Sequence, residues 1–180
     1  MSTRAAAWAG IGTARNQACA TEASYPVAGG TVFDLEVYPN YALLGFREPD
    51  GALRRWELAP ALGLTADLDA LRSYLEGRLL VGFNSLGYDS PVLERLLAGA
   101  DNASLQHLSR TLVSRAAPAP HPSTAPSLDL WPLVPGSIGL KACALRLGWP
   151  RLRELPFDPD RPLQAGDLEA VRPTTLSTWR

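Results

Sequence analysis

Residues 31–46, TVFDLEVYPNYALLGF, decide how the rest of the chain is organised. Residues 31–37 alternate in polarity and are rich in β-formers, which predicts a strand. A Tyr-Pro-Asn turn separates this strand from a second one at residues 41–46, and a Glu-Pro-Asp-Gly turn precedes a third at residues 53–58. Because the links are so short, the three strands are expected to form an antiparallel meander.

Helical and strand patterns alternate after the meander. Helices are predicted at residues 66–77, 91–99, 103–115, 140–147 and 163–172, and short strands at residues 79–83 and 127–131. A Pro-rich loop is expected at residues 116–126. This order predicts an α/β fold with a mixed sheet, in which the meander and parallel strands are flanked by helices.

Composition limits the classes of function. The chain has 180 residues and a formal net charge of −1, so no global positive field indicates a nucleic-acid partner, although local arginines can still bind one. The two cysteines, Cys19 and Cys143, form no CxxC pair, which predicts a reduced, cytoplasmic protein. Cys143 is expected to be a core thiol. No apolar run approaches the roughly 18 residues of a membrane span, so no membrane partner is expected.

Two carboxylates stand two residues apart in the first predicted strand. The strand period places Asp34 and Glu36 on one face, and Phe33, Leu35 and Val37 on the other. Two acids on one strand face repel each other unless a cation offsets them, and hard oxygen ligands suit Mg²⁺ or Mn²⁺. The alternative is a solvated face that carries both acids without any ligand.

A second polar segment follows the apolar strand at residues 79–83. It runs Gly82-Phe83-Asn84-Ser85-Leu86-Gly87-Tyr88-Asp89-Ser90-Pro91. Ser90 is predicted to cap the next helix with Pro91 at its first position, which places Asp89 just ahead of the helix. Sites in open α/β sheets lie at such strand ends. The alternative is that Asp89 only caps the helix.

Together these segments resemble a known family. FDLEVYPNYALLGF, followed downstream by LLVGFNSLGYDSPVLERLL, is similar to the DEDD 3′→5′ exonucleases of the ribonuclease H-like superfamily, in the versions found in phage and family-B-like DNA polymerases. The later SLDLW and IGLKACALRLG resemble the segment between that family's second and third motifs. The resemblance covers roughly residues 30–172 and implies a ribonuclease H-like sheet.

The resemblance also implies a site and an activity. Asp34, Glu36 and Asp89 match the family's metal-binding catalytic acids, and Asn84 and Tyr88 match positions near the substrate strand. Two divalent ions, Mg²⁺ or Mn²⁺, are implied as cofactors. The implied substrate is a single-stranded nucleic-acid 3′ end, DNA more than RNA, which is shortened to nucleoside monophosphates. A polymerase module is implied as a further partner.

The tail departs from the family pattern. The family ends with Tyr or His four residues before a final Asp, whereas residues 173–180, PTTLSTWR, hold no carboxylate. With free third codon bases, a shifted frame of this stretch can encode Tyr-Asn-Leu-Val-Asp-Leu-Ala, so we expect a frameshift near codon 172. The expected organisation is therefore a poorly ordered lead-in at residues 1–29, the exonuclease domain at 30–172, and an aberrant tail at 173–180.

Two other functions remain open from the sequence. A chain that lacks the fourth carboxylate could be a catalytically impaired nucleic-acid-binding remnant. A ribonuclease H-like endonuclease or resolvase would also use acids on the first strand, but the Asn84–Asp89 loop fits the exonucleases better.

Overall fold

The architecture comes from a computed structural model, which describes residues 29–114, 125–136, 138–148 and 155–172. The predicted lead-in up to residue 28, most of the Pro-rich loop and the tail from residue 173 lie outside the described residues. The strands are β1 (Thr31–Tyr38), β2 (Tyr41–Arg47), β3 (Leu53–Leu58), β4 (Leu80–Gly82) and β5 (Ser127–Asp129). The α-helices are α1 (Leu68–Leu75), α2 (Asp89–Leu97), α3 (Asn102–Ser114), α4 (Leu140–Arg146) and α5 (Leu168–Val171), and short 3-10 helices occupy Pro60–Leu62, Trp131–Leu133 and Ala165–Asp167.

The strands form one five-stranded mixed sheet in the order β3-β2-β1-β4-β5. β1, β2 and β3 pair antiparallel, with Tyr38 opposite Tyr41 across a two-residue turn. β4 lies parallel to β1, and β5 lies parallel to β4. The predicted meander and the α/β class with a mixed sheet flanked by helices are therefore confirmed.

The main core lies between one sheet face and the first three helices. Phe33, Leu35 and Val37 of β1 are buried in it, as the alternation of the strand predicts. The helices contribute apolar positions three, four or seven residues apart, which place their side chains on one face of each helix. These buried positions are Leu71, Leu75, Val92, Leu93, Leu96, Leu105 and Leu112.

A second, smaller core covers the other face of the meander. Tyr38, Tyr41 and Leu43 pack there against apolar side chains of the C-terminal segment, residues 155–172. Asn40 fixes this segment, because its Nδ2 donates to the Leu163 carbonyl at 2.9 Å and its Oδ1 accepts from the Leu163 N–H at 2.8 Å. The C-terminal segment is thereby held beside the carboxyl end of β1.

Two local predictions are wrong. α2 begins at Asp89, with Tyr88 as N-cap and no side-chain cap, so Ser90 does not cap the helix. The chain turns earlier than predicted because the Ser85 carbonyl accepts the Ser90 N–H at 2.7 Å. Cys143 is partly exposed, because the short α4 buries Ala144 instead. Among the described helices, none has the length and apolar character needed to cross a membrane.

Candidate functional site

The two acids of β1 lie on the strand face turned away from the main core. Their neighbours Phe33, Leu35 and Val37 belong to that core, so the predicted alternation of side chains holds. Glu36 is only 9% exposed, whereas Asp34 is partly exposed. The alternative of a simply solvated face therefore fails for Glu36, since a buried carboxylate requires compensation.

Asp89 joins this pair from the start of α2. Its side chain is 5% exposed, and its Oδ1 accepts the Leu35 N–H at 3.1 Å. Leu35 stands between the two acids of β1, and β4 pairs with β1 only earlier, at Thr31 and Val32. The carboxyl of Asp89 thus accepts a hydrogen bond from a backbone N–H of β1 at a position where β4 no longer pairs with β1.

The electrostatics of this arrangement oppose ionisation of Asp89. Burial raises the pKa of its carboxyl well above the usual range, and the negative charge of Asp34 raises it further. The hydrogen bond from the Leu35 N–H acts in the other direction, because it stabilises the charged form. A bound cation would favour the ionised carboxylates by offsetting this repulsion.

Asp129, at the end of β5, organises the loop that leads to Asp89. Its Oδ1 accepts the Asn84 N–H at 2.8 Å and the Trp131 N–H at 3.0 Å, and its Oδ2 accepts the Leu86 N–H at 3.1 Å. These three bonds give Asp129 a structural role in this loop.

Asn84 shapes the same loop through its backbone. Its φ of 59° lies in the left-handed region, which Asn tolerates better than most residues. Its carbonyl accepts the N–H groups of Gly87 and Tyr88 at 3.1 and 3.0 Å. The predicted contact of Asn84 with substrate stays a prediction.

An open cleft of about 590 Å³ runs beside the acids of β1. Asp34 and Glu36 line one side of the cleft, and Tyr88 lines it next to α3. The Tyr88 hydroxyl and Ser109 Oγ are 2.7 Å apart in a hydrogen bond. Burial raises the pKa of the Tyr88 phenol above its ordinary value, so this hydroxyl stays protonated at neutral pH. Tyr88 thus lines the cleft together with Asp34 and Glu36, and its predicted contact with substrate stays a prediction.

The cleft also contains residues that the sequence did not indicate. α3 contributes Gln106 and Arg110, and the C-terminal segment contributes Asp158 and Asp160. About fifty residues separate the α3 residues from these aspartates along the chain. No local pattern marks such a distant pairing, and FDPDRP has the composition of an ordinary loop.

The three acids carry the donor atoms that a hard divalent cation prefers. Asp34, Glu36 and Asp89 offer hard carboxylate oxygens, which are the ligand type that Mg²⁺ and Mn²⁺ prefer. Within the described residues, however, no group of three or more His, Cys, Asp and Glu side chains is arranged so that it could hold a metal ion. The three acids fit a divalent cation in chemical type, and their side chains would have to converge to bind one.

Comparisons with protein-family models, with curated proteins and with solved structures find no match to this chain.

Proposed function

We propose that this chain is a metal-dependent 3′→5′ exonuclease domain that shortens single-stranded DNA from its 3′ end. The observation that carries the proposal is the 3.1 Å hydrogen bond from the Leu35 N–H to Asp89 Oδ1, because Leu35 lies between Asp34 and Glu36 in the sequence of β1. Asp34 and Glu36 line the open cleft, and the bond to the Leu35 N–H brings Asp89, from a distant segment of the sequence, next to the strand that carries them. Repulsion between neighbouring carboxylates costs free energy, and a bound cation would offset it.

The proposed chemistry assigns separate tasks to the residues of the site. Divalent ions such as Mg²⁺ or Mn²⁺ would supply an activated water and would stabilise charge on the leaving 3′ oxygen. Asp34, Glu36 and Asp89 would hold these ions. Tyr88, with its hydroxyl on Ser109, would form the wall that positions the terminal nucleotide.

The architecture supports a ribonuclease H-like fold as part of the proposal. A central β1, an antiparallel meander on one side of it and parallel strands on the other have the order expected for that fold. Mixed sheets of this kind occur in other proteins as well, so the fold supports the function only together with the acids. A polymerase module as a natural partner belongs to the same proposal.

The activity is tested with single-stranded DNA labelled at its 5′ end. The protein is incubated with this DNA and Mn²⁺, and the products are resolved by denaturing electrophoresis. We expect a ladder that shortens from the 3′ end, and a loss of about 100-fold or more in Asp34→Ala, because a ligand of the proposed ions is removed. The matched control is Asp67→Ala, which removes a carboxylate outside the cleft at the N-cap of α1.

Three outcomes would contradict the proposal. Binding of the DNA without cleavage would favour the nucleic-acid-binding remnant. Internal cuts would favour a ribonuclease H-like endonuclease or resolvase. Equal cleavage by the wild type and Asp34→Ala would assign the activity to another site or to a contaminant.

A further inference from the structure

An ion pair joins the two walls of the cleft. Arg110 of α3 contacts Asp160 of the C-terminal segment, with Nε and Nη2 each 2.8 Å from Oδ1. Among the described residues that line the cleft, Arg110 is the only cation, and the other charged ones are all acidic. An anionic substrate that enters the cleft would therefore find one positive group there, already paired with a carboxylate.

This ion pair is suited to exchange of its acidic partner. The side chains of Arg110 and Asp160 are 59% and 63% exposed, and exposed pairs contribute little to stability because water competes for both charges. The guanidinium presents a planar set of donors that fits a phosphate as well as a carboxylate. A phosphate group can thus replace Asp160 at little cost to the fold.

Gln106, at the contact between α3 and the C-terminal segment, has a buried oxygen without a hydrogen-bond donor in the described part of the chain. Its Nε2 donates to the Pro159 carbonyl and to Asp160 Oδ1, both at 3.2 Å. This fixes the orientation of the amide and leaves Oε1 buried, with no hydrogen-bond partner among the described residues. A buried acceptor without a donor destabilises the contact between α3 and the C-terminal segment, so movement of Asp160 away from α3 would relieve that cost.

The geometry points to Arg110 as a substrate-binding residue that exchanges Asp160 for a backbone phosphate of single-stranded DNA, with Gln106 becoming available to the sugar or base of the same nucleotide. This inference rests on the proposed function, since it takes DNA as the ligand. Asp160 then acts as an internal competitor that occupies the phosphate position when no substrate is bound.

If phosphate replaces Asp160 on Arg110, substitution of Arg110 should weaken DNA binding and substitution of Asp160 should strengthen it. Binding of a 5′-fluorescein-labelled short oligothymidylate is measured by fluorescence anisotropy in Ca²⁺, over a series of salt concentrations. Arg110→Ala should bind about tenfold more weakly, because a charged hydrogen bond is lost. Its slope of log affinity against log salt should be smaller by about 0.7, the value for one phosphate contact on a single strand. Asp160→Asn should bind more tightly, by up to about fivefold, which corresponds to the upper value for an exposed ion pair.

Matched variants separate a local contact from a general change in charge. Arg54→Ala removes an arginine of similar exposure, 58%, that lies outside the cleft, and Asp69→Asn neutralises an exposed aspartate on α1. Both should leave the affinity and the salt slope close to those of the wild type.

The possible results distinguish this inference from the proposed function. If the wild type binds the oligonucleotide and Arg110→Ala binds it as Arg54→Ala does, the inference is wrong while the proposed function stands. Weaker binding by Asp160→Asn would also overturn it, because the ion pair would then only support the structure. Absence of binding by the wild type would overturn both.

Discussion

Replacing Asp129 with alanine tests how the site is held together. The carboxylate of Asp129 accepts three backbone N–H groups, from Asn84, Leu86 and Trp131, at 2.8 to 3.1 Å. Asp129→Ala removes both acceptor oxygens, and with them all three hydrogen bonds, and leaves the loop before Asp89 without these restraints. The same type of change at Asp67, whose Oδ1 accepts only the Ala70 N–H at 2.9 Å, removes one acceptor.

The number of lost hydrogen bonds sets the expected magnitudes. A bond of this kind contributes about 1 kcal/mol net, and more when the acceptor is charged and buried. Because Asp129 is partly exposed, water can satisfy some of the freed N–H groups, so the lower figure applies. We expect the free energy of unfolding to fall by about 3 kcal/mol in Asp129→Ala, and by about 1 kcal/mol in Asp67→Ala, the usual cost of losing an N-cap.

Urea-induced unfolding followed by circular dichroism measures both changes. Asp129→Asn should give an intermediate loss, since one amide oxygen can still accept from Asn84 and Trp131 while the amide NH₂ faces the Leu86 N–H. Amide hydrogen exchange should quicken at Asn84 and Leu86 in Asp129→Ala. The reasoning is refuted if Asp129→Ala costs no more than Asp67→Ala, because the three bonds would then not restrain the loop.

Two further changes probe the same region. Gly82→Ala should lower the free energy of unfolding by about 1–3 kcal/mol in a thermal or urea titration, because an added Cβ would lie 2.5 Å from the Ser85 Cβ and 3.1 Å from the Phe33 ring; an unchanged stability would mean that Ser85 moves freely. Asp89→Asn should raise the free energy of unfolding at neutral pH, because the pKa of Asp89 is raised in the folded state and folding therefore favours its protonated form. The same variant should lose DNA cleavage, because it lacks a carboxylate that is proposed to bind the metal ions. The wild type loses this contribution as the pH rises above the unfolded value of about 4, so the gap between the two proteins should close toward acidic pH, and a gap independent of pH would contradict the assignment.

The sequence predicted those parts of the fold that depend on local patterns. Alternating residues 31–37 and turn residues between short strands specify the meander, because side-chain period and turn chemistry act over a few positions. The same period placed Asp34 and Glu36 on one face. The predicted position of Asp89 at the end of a buried strand follows from the general location of sites in α/β sheets.

The sequence did not predict features that depend on distant contacts. Glu36 lies on the strand face that the C-terminal segment covers. Tyr38 and Leu163 belong to the apolar cluster on that face. Arg110 and Asp160 meet across fifty residues, with no periodic signal. The start of α2 was misplaced because Ser-Pro is a strong local capping pattern, and the bond from the Ser90 N–H to the Ser85 carbonyl overrides it.

Aspartate and asparagine at position 89 would serve the fold and a bound cation differently. The structure requires an acceptor for the Leu35 N–H at this point, and an asparagine oxygen would provide one without a negative charge. A carboxyl there is buried beside Asp34, which raises its pKa and makes its ionised form unfavourable. An aspartate is thus a poorer choice than asparagine for folding alone. A carboxylate but not an amide offers the charge that a divalent cation requires, so the proposed role of Asp89 as a metal ligand would account for an aspartate at this position.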